Sequence, residues 1–295
     1  MPTSVGAGDW RETLRVLRGL IRQPTSFIAL IVIAAVILAA LLAPWLAPYA
    51  PDAQPFDGLS PDGAPLPPDR TYWLGTDTLG RDLLSRLLFG ARTSLVIGLV
   101  ANGMAVAIGM VVGVVAGYAG GVVGNALMRF TDLMMAFPAL LLAIVLAALL
   151  HPSLWIVALV IALVNWVQVA RVVYTETRGL VERDFILAER SLGAGHARIL
   201  GLHIAPHLVP TAVVYGTLGI ATTVLLEATL SFLGVGVQPP QASWGNIIYE
   251  SQSYFLAAPW LVFIPGAIIL ATALAFNLVG DALRDLLDPT QRGRG

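Results

Sequence analysis

Six stretches of twenty or so residues in this chain are apolar almost throughout, and three of them hold no charged side chain at all. A helix needs about 20 largely apolar residues to cross a bilayer. The stretches cover residues 26–48, 93–118, 127–150, 154–173, 211–232 and 260–279, and they leave little room for anything else. Charged residues make up 12% of the chain, against about 25% in a soluble domain. That is too few ions to cover a water-facing surface, so the apolar excess must face lipid. The expected architecture is an all-α integral membrane protein with about six transmembrane helices. The first stretch is longer than the roughly 7–15 apolar residues of a secretory leader, and it is expected to be retained.

Arginine placement sets the expected orientation, because cationic residues accumulate in cytoplasmic segments. All seventeen cationic side chains are Arg. With the N-terminus inside, Arg11, Arg15, Arg18, Arg22, Arg129, Arg171, Arg178, Arg183, Arg190, Arg198, Arg284, Arg292 and Arg294 fall in the cytoplasm. Only Arg70, Arg81, Arg86 and Arg92 fall outside, among Asp52, Asp57, Asp62, Asp69, Asp77 and Asp82. Both termini are therefore expected inside. Gly98, Gly103, Gly109, Gly113 and Gly117 mark the second span as one that packs closely on other helices.

Three extramembrane segments remain. In 49–92, the Pro-, Asp- and Gly-rich part 51–68 reads as an extended loop. Thr76 or Asp77 is placed to cap a helix. Its apolar stripe is Leu79, Leu83, Leu84, Leu87 and Leu88, and its polar face is Arg81, Asp82, Ser85 and Arg86. Asp82 and Arg86 have the i,i+4 spacing of an ion pair. Such a helix is expected to lie along the membrane surface or to touch an external partner. Segment 174–210 spreads Phe185, Ile186, Leu187, Leu192, Ile199, Leu200 and Leu202 among charges. Gly193 and Gly195 divide it into two short helices, and Pro206 and Pro210 open the next span. Its apolar residues either dock another protein or pack beneath the chain's own spans. Segment 234–259 reads as a loop or re-entrant lid, with Trp244, Tyr249, Tyr254 and Trp260 expected at the interface.

Catalytic constellations are missing. There is no cysteine, no GxxxxGK[ST] phosphate loop and no GxSxG elbow. His151, His196, His203 and His207 are the only histidines. Neither their spacing nor any nearby carboxylates make a metal site, so no metal and no cofactor is expected on this chain. Two acids lie in or near spans, where such groups are costly and usually paired or functional. Asp132 is expected to pair with Arg129 at i,i+3. Glu227 either faces a polar pathway or hydrogen-bonds across helices.

Segment 184–206 resembles the EAA loop of ABC-importer permeases, with Ala188, Gly193 and Pro206 at that loop's Ala, Gly and Pro positions and Ile204 just before the Pro. Glu189 stands where a small residue is usual, and Leu187 where the loop's namesake Glu often stands. LGTDTLGRDLLSRLLFGARTSL at 74–95, TDLMMAFPALLLAI at 131–144, LSFLGVGVQPPQASWGN at 230–246 and FNLVGDALRDLLDP at 276–289 resemble the C-type permeases of dipeptide, oligopeptide and nickel importers. The likeness covers nearly all of the chain after about residue 20.

The resemblance implies a type I ABC importer permease of the bacterial inner membrane, not itself an enzyme. It implies a core at 91–281, preceded by 1–90 and followed by a cytoplasmic tail at 282–295. Its expected partners are a second permease subunit, two cytoplasmic ATPase subunits that bind ATP and magnesium, and an external substrate-binding protein. The ATPase-coupling residues it implies are Asp184, Phe185, Ala188, Glu189, Gly193, Ala194, Ile204 and Pro206. A nickel or other small-solute permease of the same branch is the alternative within the family. A stand-alone secondary transporter is the alternative outside it, opposed by the solitary Glu227 and by the missing inverted repeat.

Overall fold

The computed structural model describes residues 10–150 and 153–287, so His151, Arg292 and Arg294 lie outside the described residues. Among the described residues all regular structure is helical. Helix α1 (Trp10–Arg22) precedes α2 (Pro24–Leu46), the first long apolar helix. An irregular connection at 47–82 leads to α3 (Leu83–Ala119), followed by α4 (Gly121–Ala136) and α5 (Ala139–Leu149). Helix α6 (Leu154–Val181) ends at a hairpin of α7 (Asp184–Ser191) and α8 (His196–Arg198). Residues Ile199–Ile204 form a π-helical turn that runs on into α9 (Ala205–Phe232). Short α10 (Trp244–Glu250) and long α11 (Trp260–Leu287) complete the chain.

Five helices are long and apolar enough to span a bilayer, or six when the α4–α5 pair is taken as one span. That pair corrects the expectation of a straight third span over 127–150: the two helices meet at 89°. The cause is Pro138, which lacks an N–H and pushes the residue before it out of the helical region. Phe137 is accordingly extended, at φ −83°, ψ 134°.

Helix α3 is the axis of the bundle, touching α2, α4, α6, α9 and α10. Its closest neighbour is α6, and three glycines set that distance. A Cβ on Gly109 would fall 2.8 Å from the Trp166 carbonyl oxygen. On Gly113 it would fall 2.6 Å from that of Ala170, and on Gly117 2.9 Å from that of Tyr174. Four residues apart, these glycines form the small-residue seam that brings membrane helices into backbone contact. The bundle has two dissimilar ends. One carries the α7–α8 hairpin and α1; the other carries 47–82 and α10.

The second span begins ten residues earlier than its apolar stretch. The expected surface helix does not exist as a separate element, since Asp82, not Thr76 or Asp77, caps α3 by accepting the Ser85 N–H at 2.8 Å. Arg81, Asp82, Ser85 and Arg86 are buried, while Leu79 of the expected apolar stripe is exposed. Leu83 and Leu87 of that stripe are buried as well, so both faces of the stretch are covered, and the polar one finds its partners within the protein.

Replacing Gly113 by Leu is expected to destabilise the fold by about 1–3 kcal/mol through overpacking. Gly103→Leu, on the same helix with open space at its Cβ, is expected to be tolerated. Unfolding midpoints of the two variants in one detergent make the comparison.

Candidate functional site

The hairpin is built by helix-end chemistry. Gly193 adopts φ +79°, a conformation available to glycine at little cost. It directs the Gly193 N–H to the Arg190 carbonyl and the Ala194 N–H to the Glu189 carbonyl, both at 3.0 Å. This pair of bonds is a Schellman stop, which satisfies the last carbonyls of α7 and reverses the chain. Beyond Gly195, α8 and the π-turn lead into α9 without a break, and Pro206 sits in the first turn of α9. The second half of the hairpin and a spanning helix are thus one continuous rod.

The apolar residues of this segment divide into two sets. Ile186, Ile199 and Ile204 are buried against Val169, Val173 and Val181 of α6 and Leu208 of α9. Phe185, Leu187, Leu192 and Leu202 are exposed, Leu192 at 83%. Asp184 and Ala188 join the exposed set, Ala194 and Pro206 are half-buried, and Glu189 is half-buried between Arg198 at 3.9 Å and His203 at 3.5 Å. Phe185 stacks on His207 with ring centroids 5.7 Å apart.

A residue that sequence reasoning missed ties the hairpin to α3. Tyr118, one residue from the end of α3, places its hydroxyl 2.7 Å from His196 Nδ1. The Arg190 guanidinium lies over the same ring at 5.3 Å. A lone Tyr at a helix end gives no signal in sequence, because its partners lie more than 70 residues away. Beside the base of α9, a cleft of about 660 Å³ opens between α6, α9 and α11. Glu176 spans part of it, accepting the Thr211 hydroxyl at 2.7 Å. Asp132 pairs with Arg171 of α6 and not with Arg129, because α4 presents it across to α6.

At the opposite end, buried charges fasten the loop to α10. Arg81 reaches Asp77 at 2.6 Å and Glu250 at 2.5 Å. Arg86, fully buried, reaches Glu250 at 2.8 Å, Asp77 at 3.3 Å and Asn246 at 3.2 Å. The expected Asp82–Arg86 pair is absent, since Asp82 is engaged at the helix cap. Trp244, expected at the interface, is instead 1% exposed, and its indole N–H donates to the Leu87 carbonyl. Beneath α10, Glu227 accepts the hydroxyls of Ser94 at 2.9 Å and Ser231 at 2.8 Å. It is 0% exposed and has no cationic partner among the described residues. Deeper in the bundle, Asn102 of α3 donates to the Gly216 carbonyl of α9 at 2.6 Å.

The arrangement defines a polytopic helical membrane protein, with one apolar-tipped hairpin and no cluster of metal-ligating side chains among the described residues. The family model for the inner membrane component of binding-protein-dependent transport systems matches residues 109–293. A second model, for the N-terminal transmembrane domain of oligopeptide transport permease C, matches residues 10–68. The chain belongs to the family of binding-protein-dependent inner membrane permeases. It is 37% identical to the dipeptide transport system permease protein of Alkalihalophilus pseudofirmus, over 96% of this chain and 90% of that protein. It is 40% identical to the di/tripeptide transport system permease protein of Pseudomonas aeruginosa, over 74% and 72% of the two chains. It is 36% identical to the oligopeptide transport system permease protein of Bacillus subtilis, over 78% and 75%. The fold is similar to that of the inward-facing MetNI methionine ABC transporter, with a TM-score of 0.53 and 19% identity over 68% of this chain and 96% of that one.

Two outcomes follow from this geometry. Arg86→Met leaves Asp77 and Glu250 undercompensated in a buried site, at an expected cost of about 3–5 kcal/mol, while Met at exposed Arg70 is expected to change nothing. Unfolding midpoints and protease sensitivity of 234–259 report both. Tyr118→Phe keeps the ring beneath Arg190 but removes the bond to His196, worth about 1 kcal/mol. Faster amide exchange at 194–200, with 154–173 unchanged, is the expected reading.

Proposed function

We propose that this chain is one of two permease subunits that together form the peptide pathway of a bacterial ABC importer. Exposed Phe185, Leu187, Leu192 and Leu202 seat in a groove on a cytoplasmic ATPase, and a second ATPase serves the partner subunit. Those ATPases bind ATP and magnesium, and an external binding protein delivers the substrate. The observation that carries this reading is the division of the hairpin into a buried anchor and an exposed grip, both fused to α9. A pull on the grip is then transmitted through Ile186, Ile199 and Ile204 to α6, and through Tyr118 to α3. The cleft beside α9 gives its base room to move. Peptide as cargo is supported by the names of the relatives, which cover most of the chain at 36–40% identity.

The hairpin end is assigned to the cytoplasm with both termini, as the arginine count requires. The transport core is assigned to 91–281, with 1–90 and 282–295 flanking it. Asp184, Ala188, Glu189, Gly193 and Ala194 shape the coupling hairpin, and Ile204 and Pro206 join it to α9. Glu227 binds α9 to α3 beneath α10, and a sealed carboxylate of this kind does not line a pathway.

Leu192→Glu alters the exposed tip without straining the backbone, and Gly193→Glu adds strain at φ +79°. Both are expected to insert normally, to lose co-purifying ATPase, and to lower ATP-driven uptake of labelled di- and oligopeptides by at least about tenfold. Uptake at the normal rate would show that the hairpin is not the coupling element.

A further inference from the structure

The helix before the first span shows three faces over residues 14–22, and among these described side chains only one face is packed against the protein. On α1, Leu20 is buried and Gly19 lies against α11, where any Cβ would meet Leu286 at 2.7 Å. Leu14, Leu17 and Ile21, spaced i, i+3, i+7, form a second stripe, each about half exposed. Arg15, Arg18 and Arg22 repeat that spacing one residue on and form a third, exposed stripe beside it. With 13 residues, α1 is about 20 Å long, too short and too charged to cross a bilayer. One residue, Gln23, separates it from α2, whose outward residues Phe27, Ile28 and Ile31 are likewise exposed. The end of a spanning helix fixes the level of what precedes it, so α1 is held at the rim of the hydrocarbon.

We propose that α1 is a lipid-binding element: Leu14, Leu17 and Ile21 enter the acyl boundary, and Arg15, Arg18 and Arg22 bind the phosphates of anionic headgroups alongside. An apolar stripe flanked by cations, on a helix of low overall hydropathy, is what an interfacial helix requires, and each arginine near an anionic surface adds attraction. Zwitterionic lipid would satisfy the leucines alone; the arginine comb selects net negative charge. The contact with Leu286 couples that lipid contact to the end of α11. None of this depends on the cargo or on the ATPase partners.

The absence of cysteine makes the test direct. Spin labels are placed singly by Leu14→Cys, Leu17→Cys, Ile21→Cys and Arg22→Cys in the full chain, in vesicles of phosphatidylcholine with phosphatidylglycerol. Labels at 14, 17 and 21 are expected to collide with oxygen and not with a water-soluble nickel reagent, at a depth of about 5–10 Å. The label at 22 is expected at headgroup level. A stripe open to nickel is a water-facing helix, and one closed to both reagents is covered by protein; either overturns the proposal. In mixed vesicles, spin-labelled phosphatidylglycerol is expected to associate several-fold more than phosphatidylcholine, on the order of fivefold per arginine at most. The triple change R15Q/R18Q/R22Q is expected to abolish that preference and R15K/R18K/R22K to keep it. An unchanged preference in the Gln variant refutes the role of the arginines. If that variant fails to insert, the single changes R15Q, R18Q and R22Q are each expected to weaken the preference, and a preference unchanged in all three refutes the role of the arginines.

Discussion

Backbone contact between α3 and α6 sets the dimensions of everything around it. Lipid offers no hydrophobic drive for one apolar helix to join another, so association depends on close packing and on polar contacts. Gly109, Gly113 and Gly117 provide that closeness, because their missing Cβ atoms let α6 carbonyls approach the α3 axis. With α3 and α6 fixed as a pair, α9 is received in the groove beside them, and Asn102 and Ser94 of α3 mark the levels at which it is held.

The two ends then solve opposite problems. At the loop end, charges separated by more than 160 residues in sequence are brought together, so that 47–82, α3 and α10 are tied to one another. A buried ion pair adds little net stability over an apolar equivalent, but it penalises every arrangement that separates the partners. That suits an element whose position matters more than its strength. At the hairpin end a buried apolar anchor is joined by exposed aromatic contacts, and a π-turn interrupts the regular ladder where the hairpin meets α9. Such turns recur at functional sites.

Much of this was legible in the sequence, and the rest was hidden for identifiable reasons. Hydropathy located the first span to within two residues, because a charge-free run has only one environment available. The hairpin was legible through Gly193, Gly195 and Pro206, each of which has a local meaning. The helix continuing through 174–181 was missed because its polar residues follow the span into water. The bend at Pro138 was missed because the apolar run continues across it, although the proline was in plain view. Arg81 and Arg86 were placed on the polar face of a surface helix, with Arg86 paired to Asp82, because Glu250, which reaches both, lies far along the chain. Period reveals which residues share a face, but not what that face meets.

The right-angled turn at Phe137–Pro138 carries one last implication. Where a helix stops, its final carbonyls have no N–H of their own to bond. Hydrocarbon cannot solvate them, so broken backbone at bilayer depth is tolerated only beside protein or against a wet cavity. Residues 135–140 at the elbow between α4 and α5 are all exposed on the single chain, so any depth of that elbow within hydrocarbon makes it a compass needle, turned toward a protein neighbour or an aqueous lumen.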